Sequence, residues 1–91
     1  MFVETITSSH ELWETFTQGT RLTSDPPAAL VASVSWDAGE GRVTVLNVWD
    51  SPDAIADFYV ERTRAVVDEV GEPSEKPKRH GEPLEVYIRQ R

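Results

Sequence analysis

The chain has 91 residues, enough for one domain, 1–91, and a domain of this size buries only about 60% of the surface its unfolded chain exposes, so every apolar face must be used. A formal charge of −7 and a sequence pI near 4.7 argue against nucleic acid or anionic lipid as partners, since both are held by basic surface. There is no cysteine, so neither disulfides nor Cys-ligated zinc or iron–sulfur sites reinforce the core, and oligomerisation is the remaining means of doing so.

The N-terminus has no basic segment leading into an apolar core, and no apolar run approaches the roughly 20 residues that span a bilayer. The expectation is a soluble, cytoplasmic protein with no membrane partner. Along the chain, Phe2 to Ile6 alternates (Phe2, Glu4, Ile6 against Val3, Thr5) and is rich in β-branched residues, which predicts a first strand. Ser8 and Glu11 have the spacing of a capping box. The helix it opens carries Leu12, Trp13 and Phe16 and is expected to stop at Gly19, which suits a left-handed cap. Residues 20–28, with Pro26-Pro27, read as a loop.

Ala29 to Trp36 and Arg42 to Trp49 are two strand-like runs separated by a hairpin-length break, Asp37-Ala-Gly-Glu-Gly41, and should pair antiparallel. A slip of one residue would turn every side chain to the other face, so spacing alone leaves open whether Trp36 lies beside Trp49. Asp50 or Ser51 caps the next helix, Pro52 takes the first-turn position where no N–H is needed, and Gly71 ends it. The segment 71–83, with three prolines, reads as a loop, and Leu84 to Arg89 alternates again as a last strand.

The resulting order, β-α-β-β-α-β, defines an α+β, ferredoxin-like arrangement in which a four-stranded antiparallel sheet carries two helices on one face. The middle hairpin has apolar residues on both of its sides: Leu30, Val34, Trp36 and Val31 on one strand, Val43, Val45, Trp49, Leu46 and Val48 on the other. The helix-free face therefore also needs covering, which predicts a homodimer.

The strand-to-helix junction Val45-Leu-Asn-Val-Trp-Asp-Ser-Pro-Asp-Ala-Ile-Ala-Asp-Phe58 resembles that of the dimeric α/β-barrel superfamily, which includes antibiotic-biosynthesis and haem-degrading monooxygenases. The motif covers about fourteen residues, whereas the likeness of element order covers nearly the whole chain; it speaks to fold more than to function. The resemblance implies a homodimer whose sheets form a barrel, with a cleft between sheet and helices in each subunit for an aromatic or conjugated ligand. In the polyketide-oxidising branch Asn, Trp, Tyr and Arg orient a phenolic substrate and stabilise its anion. By residue type and neighbourhood, Asn47, Trp49, Tyr59 and Arg62 are the counterparts here. The haem-degrading branch fits less well. Its first-strand Asn has no counterpart between Met1 and Thr7, its helix Trp is replaced by Phe58, and its haem-ligating His falls at Asp68. No haem or other cofactor is expected.

Counted at about 100° per residue, Ile55, Phe58, Tyr59, Val66 and Val70 gather on one side of the second helix, and Arg62 falls in their middle. A guanidinium stays charged and needs acceptors where it is desolvated. Arg62 would then clamp a ligand anion, or else snorkel past the helix edge or pair with a carboxylate such as Glu69. Asn47, among valines and a leucine, would orient a ligand or be satisfied by neighbouring backbone. Trp36, Trp49, Tyr59 and Phe58 would wall an aromatic cleft or pack as plain core and interface. His80, beside Lys76, Lys78 and Arg79, would belong to a lid that meets an anionic substrate or to a solvated loop.

The two histidines lie far apart, with no metal-ligand spacing. There is no Gly-x-Ser-x-Gly elbow either. The reading is a small dimeric domain that binds a small aromatic or anionic metabolite between sheet and helices. The alternative is a cofactor-independent monooxygenase acting on a phenol or enol, with Arg62 and Asn47 as the catalytic pair.

Overall fold

The computed structural model describes residues 1–83 together with Glu85 and Tyr87. Strands β1 (Phe2–Ser9), β2 (Leu30–Gly39), β3 (Arg42–Trp49) and β4 (Lys78–Gly81) form one antiparallel sheet in the order β2-β3-β1-β4. Helix α1 (His10–Thr20) connects β1 to β2. A second helical segment connects β3 to β4, made of α2 (Pro52–Phe58), a π-helical turn (Tyr59–Thr63) and α3 (Arg64–Val70). This α+β arrangement is compatible with a ferredoxin-like fold. No helix among the described residues is long and apolar enough to cross a membrane.

The register settles the question left open for the hairpin. Trp49 pairs with Leu30 on one side and Phe2 on the other, whereas Trp36 pairs with Thr44. With side chains alternating between faces, Phe2, Glu4, Ile6, Val45, Asn47 and Trp49 look toward the helices. Val34, Trp36, Leu46 and Val48 occupy the opposite face. Trp49 is 1% exposed and packs with Leu22 and Ile55, joined by Phe2, Leu30 and Phe58.

Helix α1 starts one residue later than the Ser8 capping box predicts. Ser8 is buried in the ladder opposite Val43, and Ser9 caps the helix, its Oγ accepting from the Leu12 N–H at 3.1 Å. At the other end the helix passes through Gly19, and Arg21 takes the left-handed position at φ 56°. Gly19 is needed for another reason: a Cβ there would stand 2.8 Å from Val66 Cγ2, so its absence lets α1 lie close against α3.

The second helical segment begins as predicted, with the Ser51 hydroxyl accepting from the Ala54 N–H and Pro52 in the first turn. It ends at Gly71, φ 88°. The π turn between the two halves alters the phase that a uniform helix would give. Tyr59 and Val70 are partly exposed, at 37% and 45%, while Ile55 and Val66 are buried.

Strand β4 falls in the segment that the sequence reads as a loop. The strand expected over Leu84 to Arg89 falls on a stretch of which only Glu85 and Tyr87 are described, neither in a strand; its other positions lie outside the described residues. The partner of β1 is Lys-Arg-His-Gly, with Glu4 opposite Arg79 and Thr5 opposite Lys78. An edge strand of this kind needs only backbone groups from its residues, and charged side chains on it guard the edge, so no apolar alternation marks it.

Candidate functional site

Between the sheet and the helices lies an open-sided cavity of about 650 Å³, within the range of roughly 300–1,000 Å³ typical of small-molecule sites. Its floor is the helix-facing side of β1 and β3, with Glu4, Ile6, Val45 and Asn47. Trp13, Phe16 and Thr17 of α1 form one wall. Ile55, Phe58, Tyr59, Val60 and Thr63 form the other, and Lys76, Pro77 and Arg79 contribute from the β4 side. Three of the wall residues, Tyr59, Val60 and Thr63, belong to the π turn, an irregularity that helices often carry at functional sites.

The floor is polar at one place. Glu4 is 5% exposed and Asn47 3%, and cross-strand register sets them opposite each other, with Ser33 of β2 opposite Asn47 in turn. Glu4 Oε1 accepts from Trp49 Nε1 at 3.0 Å and from Asn47 Nδ2 at 3.3 Å. Asn47 Oδ1 accepts from Ser33 Oγ at 2.7 Å. A chain of bonds thus runs across three strands and fixes the amide and the indole in single orientations, as buried polar groups require. Among the described residues no cation lies within ion-pair distance of Glu4. No fully buried side-chain polar atom there is without a partner.

Asn47, Phe58 and Tyr59 converge on the cavity. Trp49 lies beside it, its ring 5.2 Å from that of Phe58 and its N–H committed to Glu4. Arg62 is engaged elsewhere. Its Nη1 donates to the carbonyls of Thr20, at 3.2 Å, and Asp25, at 2.6 Å, with the guanidinium 5.6 Å from the centre of the Phe58 ring. It ties the loop after α1 to the second helical segment. Trp36 stands on the opposite face of the sheet. His80 Nε2 lies 2.7 Å from the hydroxyl of Thr5, whose side chain alternates to that same helix-free face.

Most of the lining was not among the sequence candidates, and its most informative members are Glu4, Trp13 and Phe16. The signal for Glu4 is its phase, since it shares one face of β1 with Phe2 and Ile6. For Trp13 and Phe16 it is the helical spacing of three. Among the described residues no group of three or more His, Asp or Glu side chains converges as metal ligands would. No family model, curated protein or solved structure matches the chain. Chemically, the arrangement can enclose a ring system among aromatic walls and present one carboxyl group, held by two neutral donors, from the floor.

Proposed function

We propose that this chain is a small-molecule-binding domain that encloses a ring-bearing, largely apolar metabolite between sheet and helices. The observation that carries this reading is the cavity of about 650 Å³ walled by Trp13, Phe16, Phe58 and Tyr59 with Glu4 and Asn47 on its floor. Of the two ligand classes expected from the sequence, the aromatic one is favoured over the anionic one, because Arg62 is not among the lining residues and its guanidinium is bound to the backbone carbonyls of Thr20 and Asp25. Binding is likewise favoured over monooxygenase chemistry. The two groups meant to stabilise a substrate anion do not converge, and the Asn47 amide donates to Glu4.

The same proposal places the chain in a ferredoxin-like fold paired into a dimeric α/β barrel through the helix-free face. Support comes from Val34 and Trp36, 56% and 45% exposed on that face, which a second copy would cover. Calorimetric titration with a panel of bicyclic aromatic compounds tests the binding reading. Saturable binding at one site per chain, abolished when Thr17→Phe fills the cavity, is the expected outcome. Absence of binding across the panel would remove it.

A further inference from the structure

We infer that the cavity selects an aromatic amine, with its ammonium group placed on Glu4; this rests on the cavity being a ligand site. Glu4 combines three properties that point to a cation. It is buried to 5% exposure, it lines the cavity, and its hydrogen bonds among the described residues come from two neutral groups to a single oxygen, Oε1. A buried carboxyl group without a cationic partner is costly where the dielectric is low. A ligand ammonium reaching Oε2 from the cavity supplies that partner, and three N–H donors go with it.

The walls favour the same chemistry. The faces of aromatic rings attract cations, more so away from water, and Trp13, Phe16, Phe58 and Tyr59 line the space above the floor. A carboxylate ligand of equal shape would meet the Glu4 carboxyl group with no cation on the floor to offset it. The basic side chains of the lining, Lys76 and Arg79, enter it from the β4 side; Arg79 stands opposite Glu4 in the ladder but makes no ion pair with it.

The test uses three probes that share one ring system: naphthylethylamine, naphthylethanol and naphthylacetate, titrated calorimetrically into the full chain and into Glu4→Gln. Gln keeps the shape and an oxygen that can accept from Trp49 and Asn47, and its fold is checked by circular dichroism. On the unaltered chain the amine should bind tightest and the acetate weakest, by at least about tenfold, the scale of one charge-assisted hydrogen bond. In Glu4→Gln the amine should lose about that factor while the alcohol changes little. The substitution removes one of sixteen acidic residues, so a general attraction of cations to an acidic protein would survive it.

If the acetate binds tightest, or the amine binds both proteins equally, the choice of an amine is overturned and the cavity remains a ligand site. If none of the three binds, both fall. Should Glu4→Gln fail to fold, the ranking of the three probes on the unaltered chain still decides the matter.

Discussion

Glu4 and Trp49 meet diagonally across β1 and β3, the indole N–H donating to the carboxyl oxygen at 3.0 Å, although their direct partners in the ladder are Asn47 and Phe2. Diagonal neighbours in a sheet lie within reach of large side chains. This contact joins the aromatic core to the cavity floor, so removing the carboxyl group should be felt in both places. Glu4→Ala leaves the donors of Trp49 and Asn47 unpaired and should cost about 1–3 kcal/mol. Glu4→Gln should cost less. Urea unfolding of the two variants checks the order; equal loss in both would show that the hydrogen bonds to Oε1 are not what matters.

Arg62→Met should destabilise the protein by about 1–3 kcal/mol while leaving ligand binding intact, because the Thr20 and Asp25 carbonyls lose their donor. The nearby Asp25 carboxylate adds little to this. It is 4.0 Å from the guanidinium and 67% exposed, and exposed pairs contribute weakly. Unchanged stability together with lost binding would return Arg62 to the role of an anion clamp.

Gly19→Ala runs against helix propensity. In an open helix Ala is favoured over Gly by about 1 kcal/mol, but here the added Cβ would lie 2.8 Å from Val66 Cγ2, and overpacking of this kind costs about 1–3 kcal/mol. A net destabilisation is expected. Adding Val66→Ala should restore part of it, in a double-mutant cycle with a coupling of the opposite sign. A simple gain in stability from Gly19→Ala would mean that α1 and α3 are not in close contact.

Much of this architecture is legible in the residues. Ser51 and Pro52 announce the second helical segment, and the alternation of β1, β2 and β3 announces the sheet. What is not legible is long-range or irregular. The π turn at Tyr59–Thr63 contains neither Gly nor Pro, so nothing local marks it; a count at about 100° per residue sets Arg62 beside Phe58, as the structure does, but does not show that its guanidinium reaches the 20–25 loop. Glu4 stands in phase with Phe2 and Ile6, which signals that it faces inward. That it meets Asn47 there, and Asn47 in turn Ser33, depends on register, which no local pattern fixes. The Lys78–Gly81 strand is invisible because an edge strand needs only backbone pairing and so carries no apolar alternation.

Trp36→Glu should leave each chain folded and yield a monomer, since Trp36 is 45% exposed on the face proposed to meet a second copy. Sedimentation velocity at micromolar concentration should give a dimer for the unaltered chain and a monomer for the variant. A monomeric unaltered chain would contradict the proposed pairing.

The chain's three tryptophans sit in three different places, and this makes the central claim directly measurable. Trp13 lines the cavity wall, Trp49 is bonded to Glu4 on its floor, and Trp36 stands on the far face of the sheet. Fluorine NMR of the fluorotryptophan-labelled protein, titrated with naphthylethylamine, reads all three at once. Binding in the cavity should shift the Trp13 and Trp49 resonances together, to saturation, and leave Trp36 in place. A shift confined to Trp36, or none at any of the three, would contradict a ligand site between sheet and helices.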